Sequence, residues 1–84
     1  MPTTMTPDEV VRTVCRLAAE QGGVPLTDVA LETEFERDLN YDSLAKVEFA
    51  MELESAFDLS IPDEQADGVR SVRDVVALIH ALRP

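Results

Sequence analysis

The 84-residue sequence lacks tryptophan and contains a single cysteine, Cys15. One cysteine excludes an internal disulfide and a cysteine-based zinc site, and a small fold without such crosslinks suits a reducing compartment. No apolar run approaches the roughly 18 residues that span a membrane. The first residues also lack the basic and apolar regions of a signal peptide. These absences predict a cytoplasmic protein that is not embedded in a membrane.

Basic residues are scarce too, with seven Lys and Arg against 17 Asp and Glu, for a formal net charge of −10. Because a nucleic-acid-binding protein needs Lys and Arg to neutralise phosphates, that class is excluded, as is a polybasic membrane anchor. The segment 28–67 holds 13 of the acidic residues but only two basic ones, Arg37 and Lys46. The negative charge of this segment is either a solvated surface or a face that attracts basic partners.

The hydrophobic content of 45% argues against disorder, while the aromatic content of 5% predicts an aliphatic core. A chain of this size buries roughly 60–65% of its unfolded surface. That is enough for one domain over 1–84, with a loose N-terminus at 1–5, but leaves no room for a deep enzyme cleft.

Local signals predict an all-α four-helix bundle of three main helices and one short helix. Thr6, Pro7 and Glu9 form the start of a first helix, which two glycines at 22 and 23 end. A second helix is predicted over 43–57 and a short one over 63–67. The last helix begins after Ser71, where Asp74 completes a capping pair, and ends near residue 83.

The first two helices are joined by a long connection, 22–41. A structureless loop of this length is unusual in a compact domain, so we expect it to pack onto the helices, with a helical turn near 27–30. The segment 32–38 is predicted to be solvated around Phe35. The apolar residues expected to anchor the connection are Val24, Leu26, Val29, Leu31, Phe35 and Leu39.

The second helix carries two apolar stripes when its residues are placed about 100° apart. Its core stripe is predicted to be the larger one, Phe49, Ala50, Leu53 and Phe57. The smaller stripe, rimmed by acidic residues, consists of Leu44, Val47 and Met51. Periodicity alone leaves three interpretations of the smaller stripe: a second buried face, a homodimer contact, or a docking surface for a basic and apolar partner.

Ser43 follows Asp42 at the predicted start of the second helix. It is either an ordinary first-turn residue behind an N-cap or an attachment site. A phosphate esterified there would meet free backbone N–H groups and the positive end of the helix dipole, although Asp42 would oppose it. A self-activated nucleophile is excluded because the only histidine, His80, lies near the end of the last helix.

The sequence contains neither a metal-binding motif nor a phosphate-binding loop. The acidic residues of the segment 63–68 lack the spacing of an EF-hand, and the three glycines do not form a phosphate-binding loop. We therefore predict a protein that is not an enzyme and that has no metal site.

The run from Asp38 to Phe49, DLNYDSLAKVEF, resembles the attachment region of acyl carrier proteins. The likeness rests on the Asp-Ser-Leu triplet, the Val-Glu pair that begins four residues after the serine, and the Ile61-Pro62 pair farther on. It covers almost the whole chain, including the long first loop and the acidic second helix.

The resemblance implies that Ser43 carries 4′-phosphopantetheine, which a phosphopantetheinyl transferase moves from coenzyme A. The thiol of that arm would hold acyl groups as thioesters for fatty-acid, polyketide or specialised lipid synthesis. Asp42 resembles the acid that helps to position metal-bound coenzyme A in the transferase. By the same resemblance, the positions lining an acyl cavity are Phe49, Leu53, Phe57 and Ile61.

The resemblance also favours the docking interpretation of the smaller stripe, on a monomeric carrier. The partners implied are ketosynthase, acyltransferase, reductase and dehydratase enzymes with basic patches. The residues implied in docking are Leu44, Val47, Glu48, Met51 and Glu54.

The chain departs from the family pattern at four positions, Asn40, Tyr41, Lys46 and Ser55. Asn40 replaces the usual glycine and tolerates the left-handed backbone region. These departures indicate a specialised pathway rather than housekeeping fatty-acid synthesis. The alternatives are a carrier of aminoacyl groups (peptidyl or D-alanyl), a helical interaction module without an attached group, and a small acidic ion-binding protein.

Overall fold

The computed structural model describes residues 6–82, which form four α-helices. They are α1 (Pro7–Gly22), α2 (Ser43–Phe57), α3 (Asp63–Asp67) and α4 (Val72–Leu82). Within 6–82 there is no strand, only an isolated antiparallel bridge between Glu34 and Ser71. The predicted all-α class, helix order and short third helix are confirmed. The predicted loose terminus at 1–5 and the end of the last helix at residue 83 lie outside the described residues.

Local capping accounts for the helix boundaries. The Thr6 hydroxyl accepts a hydrogen bond from the Glu9 N–H at 3.2 Å, and the Thr6 N–H donates to the Glu9 carboxylate at 2.9 Å. Ser71 and Asp74 make the same reciprocal pair before α4, at 3.2 and 3.3 Å. Gly23 ends α1 in the left-handed region, with a φ of 67° that favours glycine. Both predicted capping boxes are therefore confirmed.

The core lies where α1 packs against α2 and α4. Its largest fully buried side chains are aliphatic: Val10, Val14, Val72 and Ile79. The prediction of a purely aliphatic core is nevertheless wrong at one end of the bundle. Three of the four aromatic side chains form a buried cluster, with ring centroids 5.1–5.8 Å apart; they are Phe35, Tyr41 and Phe49.

The long connection packs onto the helices as predicted. Its helical turn is a 3₁₀ turn at Leu26–Asp28, slightly earlier than expected. Farther along, the Phe35 N–H donates to the Arg70 carbonyl at 3.0 Å, which fixes the connection to the segment before α4. Leu26 is the exception among the expected anchors, because its side chain is 52% exposed. It lies on the outer side of a single 3₁₀ turn, which has room for few inward-facing side chains.

No helix in residues 6–82 combines the length and apolarity that a membrane crossing requires.

Candidate functional site

The N-terminus of α2 is held by Asp42. Its carboxylate accepts a hydrogen bond from the Ala45 N–H at 2.8 Å, and its carbonyl accepts one from the Lys46 N–H at 3.1 Å. Ser43 is the first residue of the helix, and its side chain is exposed. The predicted N-cap and helix start are confirmed. The arrangement presents the Ser43 hydroxyl to solvent beside the free N–H groups of the first turn.

Asn40 makes the backbone turn that leads into this site. Its φ of 58° lies in the left-handed region, which asparagine tolerates better than most other residues. The expected tolerance of Asn40 for the left-handed region agrees with this conformation, and the turn into α2 forms with asparagine at this position.

Tyr41 anchors the same segment to α1. Its hydroxyl donates to the Ala18 carbonyl at 2.6 Å, and its N–H donates to the Phe35 carbonyl at 2.9 Å. The ring is buried against Phe35 and Phe49. The sequence marked Tyr41 only as a bulky departure and gave no signal for its partner, which lies 23 residues away. Tyr41 thus ties the segment that precedes α2 to α1.

Burial raises the pKa of the Tyr41 hydroxyl far above its usual range, and the nearby Glu52 charge adds to the effect. A phenol in the unfolded chain ionises near pH 10, whereas the buried phenol of the folded chain keeps its proton to a higher pH. Above about pH 10, release of this proton therefore favours the unfolded state. The stabilisation is complete below about pH 10 and is lost as the pH rises towards the folded-state pKa.

We expect Tyr41→Phe to lower the free energy of unfolding by about 0.5–1.5 kcal/mol at pH 7, because the hydrogen bond to Ala18 is lost. Urea denaturation at pH 7 and again above pH 10 checks this. The wild-type protein should lose more stability over that interval than the variant, which has no phenol to ionise. Equal losses in the two proteins would contradict the assignment of the alkaline effect to Tyr41.

The smaller apolar stripe of α2 lies on the surface. The exposed fractions of Leu44, Val47 and Met51 are 64%, 56% and 61%. We call these three residues the α2 strip. Phe49 and Leu53, on the opposite side of the helix, are 5% and 3% exposed, as predicted for the core stripe. The interpretation of α2 as a helix buried on both faces is therefore wrong within residues 6–82.

The acidic residues beside the α2 strip differ in their exposure and in their hydrogen-bond partners. Glu48 is exposed, and its carboxylate accepts one hydrogen bond from the Gln21 side chain at 2.9 Å. Glu54 is only half-buried, and its carboxylate accepts from the Ile61 N–H at 2.9 Å. Glu54 thus fastens the connection between α2 and α3 in addition to any role at the surface. Of the two carboxylates, that of Glu48 is the more exposed to solvent.

A cavity of about 600 Å³ lies between α2, α3 and α4. Of the predicted cavity residues, Phe49, Leu53 and Ile61 line it, whereas Phe57 is half-buried, packs against the core and is absent from the lining. The sequence did not identify the part of the lining that α3, α4 and their connection contribute, which includes Ala66, Val69, Val75 and Leu78. Ser43 also lines this cavity, so its polar end reaches the start of α2.

Ser43, the first turn of α2 and the cavity suit a substituent that the protein carries and does not chemically change. Ser43 offers an exposed hydroxyl, the first turn of α2 offers N–H donors for a phosphate, and the cavity offers apolar walls. Over residues 6–82, no hydrogen bond links Ser43 to a base, and His80 is exposed in the last turn of α4. No cluster of three metal-ligating side chains occurs in the same range. These groups fit an attached phosphopantetheine arm with its acyl cargo.

Comparison with known proteins agrees with this class of site. The family described as "Phosphopantetheine attachment site" matches residues 12–79. The chain is also 43% identical over 77 residues to the "Acyl carrier protein" of Prochlorococcus marinus (strain MIT 9515), covering 92% of this chain and 96% of that protein. The chain therefore belongs to the acyl carrier family of phosphopantetheine-bearing proteins.

Family membership confirms three of the predictions made from the sequence. The protein is a carrier and not an enzyme, its cofactor is covalently attached 4′-phosphopantetheine, and its cargo is an acyl group. The aminoacyl-carrier and non-carrier alternatives are not favoured by these matches.

Proposed function

We propose that Ser43 is the residue that bears 4′-phosphopantetheine. One observation carries this assignment: of the four serines in the chain, only Ser43 lines the cavity between α2, α3 and α4. An arm attached there starts at the mouth of an apolar space that can shelter an acyl chain. Ser71, by contrast, uses its hydroxyl to cap α4.

The proposed attachment divides the chemistry between this chain and a transferase. The Ser43 hydroxyl oxygen bonds to the pantetheine-bearing phosphorus of coenzyme A, the P–O–P bond breaks, adenosine 3′,5′-bisphosphate leaves, and the hydroxyl proton passes to a base. The first turn of α2 directs N–H groups at the phosphate once it is in place. Because Ser43 has no hydrogen-bonded base among residues 6–82, the transferase must supply the general base. Asp42 is fixed next to Ser43 by its hydrogen bond to Ala45, in the position we propose for contact with the transferase.

Mass spectrometry of the intact protein tests this function. The chain is incubated with coenzyme A, magnesium and a transferase of broad specificity, and the modified peptide is then mapped. We expect a gain of one phosphopantetheine on the peptide that contains Ser43. No gain on a folded protein, or a gain mapped to another residue, would contradict the proposal.

We also propose that the α2 strip and Glu48 form the docking face for the transferase and for enzymes of acyl synthesis. The strip is exposed, next to Ser43, and lies in the acidic half of a chain with a net charge of −10. An apolar strip beside an exposed carboxylate suits partners with basic patches, such as the ketosynthase, acyltransferase, reductase and dehydratase classes. Such docking is fast and sensitive to salt, because exposed charges are screened within about 8 Å at physiological ionic strength.

Glu48→Lys is expected to slow phosphopantetheine transfer by about 10-fold at low salt, because rim charges act mainly on the association rate. The difference from wild type should shrink as salt is added. Asp8→Lys makes the same change in net charge at the first turn of α1 and serves as the matched control. Equal rates for the two folded variants would count against the docking face.

We propose that only some of the four departures from the family pattern bear on the pathway. Asn40 serves a backbone turn and Tyr41 an internal hydrogen bond, so neither needs a partner to explain it. Ser55 is exposed on α2 and remains available for partner choice, whereas Lys46, also exposed, is paired with Glu36. We infer from the departures at these two residues a specialised pathway of acyl synthesis. We also propose that the carrier is monomeric and cytoplasmic, as the family resemblance and the composition favour.

A further inference from the structure

Lys46 lies on the same side of α2 as Ser43. The two residues are three apart on one helix, a spacing that places their Cβ atoms about 5–6 Å from each other. Helical side chains lean towards the N-terminus, so the long stem of Lys46 leans towards the turn that holds Ser43. Both residues line the cavity. The ammonium group of Lys46 is therefore within reach of a group attached to Ser43.

The charge around this end of α2 is otherwise negative. Lys46 is the only basic residue between Arg37 and Arg70. Asp42 precedes Ser43, and its carboxylate is already engaged by the Ala45 N–H. A phosphodiester on Ser43 would add another negative charge here. Lys46 is the one nearby side chain along α2 that can offset it with opposite charge.

Lys46 forms an ion pair with Glu36 in the long connection. The side chains of the two residues are 43% and 70% exposed, and an exposed pair of this kind contributes little to stability. A phosphodiester on the neighbouring turn can therefore compete with Glu36 for the ammonium group. The phosphodiester would lie one turn from Lys46 on the same helix, whereas Glu36 lies ten residues earlier, in the long connection.

We propose that Lys46 is a positioning residue for the phosphopantetheine arm. When Ser43 is modified, the Lys46 ammonium exchanges its Glu36 partner for the phosphodiester oxygens. The exchange fixes the first atoms of the arm over the cavity mouth and frees Glu36. This inference rests on the proposed attachment at Ser43, and it concerns the phosphate of the arm rather than any acyl cargo.

The test compares apo protein with protein bearing the unacylated arm, in which the phosphodiester is the only anionic group added. Four chains are compared: wild type, Lys46→Gln, Lys46→Arg and Glu36→Gln. In the apo form, Lys46→Gln and Glu36→Gln both remove the same ion pair but move the net charge of −10 in opposite directions, so each variant is compared with its own apo form. In the modified form, only Lys46→Gln also lacks the phosphate contact, and the change in Tm on attachment of the arm should be about 2–4 °C less favourable than in Glu36→Gln.

The ³¹P chemical shift of the arm is the second measurement, and it does not depend on folding stability. It should move in Lys46→Gln, stay near the wild-type value in Glu36→Gln, and be largely restored in Lys46→Arg. If attachment of the arm changes the Tm of the two neutralising variants by the same amount and they share one ³¹P shift, Lys46 stays with Glu36 and the proposal is wrong. Failure of every chain to gain the arm would instead refute the attachment at Ser43, which the mass measurement reports separately.

Discussion

Ser43→Ala is expected to abolish the gain of phosphopantetheine completely, leaving a protein that folds like the wild type. The loss is total because alanine has no oxygen with which to form the phosphodiester bond. The fold should survive because the cap of α2 belongs to Asp42, whose carboxylate binds the Ala45 N–H without help from Ser43. Intact mass after incubation with coenzyme A, magnesium and the transferase checks the first result, and circular dichroism checks the second.

Ser55→Ala is the matched control for this experiment. Ser55 is also an exposed serine on α2, but it lies three turns farther along and does not line the cavity. This variant should gain the full mass of one arm at the wild-type rate. If Ser43→Ala still gains the arm, or Ser55→Ala fails to do so, the cavity argument for Ser43 is refuted.

Phe49→Ala is expected to lower the free energy of unfolding by about 3–5 kcal/mol, the cost typical of removing a buried ring. Phe49 is 5% exposed and contacts both other rings of the aromatic cluster, with centroids 5.1 Å from Phe35 and 5.8 Å from Tyr41. Because whole domains are stable by only about 5–15 kcal/mol, this loss is a large share of the total. Urea denaturation or the Tm measures it, and the Tm should fall by at least about 12 °C.

Two further variants test whether this loss of stability is specific to Phe49 or would follow the removal of any phenylalanine ring. Phe57→Ala removes the same ring from the end of α2, where it is only half-buried and outside the cavity lining, so the effect should be clearly smaller. Phe49→Leu keeps most of the volume and should retain a folded chain even if Phe49→Ala unfolds. Equal losses for Phe49→Ala and Phe57→Ala would contradict the central place of Phe49 in the core.

The helix boundaries predicted from local sequence signals agree with those in the structure. The capping boxes at Thr6 and Ser71, the N-cap at Asp42 and the glycine pair after α1 bound the helices within a few residues. Each signal works through hydrogen bonds between residues three or four apart, so the sequence shows both partners at once. The placement of Ser43 at an exposed helix start follows from the same local chemistry.

The two stripes of α2 mark the limit of that reasoning. Periodicity showed that the helix had two apolar faces, but the choice between them depends on where other helices lie. In the fold, α1 packs against α2, Phe49 and Leu53 are buried, and the α2 strip lies in solvent. The family resemblance favoured this outcome before the structure showed it.

The sequence by itself determined the helices, the long connection, the acidic segment and the serine at the start of α2, because these depend on neighbours in the chain. The tertiary structure decided what joins distant segments. It brought Tyr41 to Ala18, placed Glu36 beside Lys46 and closed a cavity against Ser43 with residues of α3 and α4. Such contacts form only when the chain folds back on itself and buries apolar surface, and no local pattern records which residues will then meet.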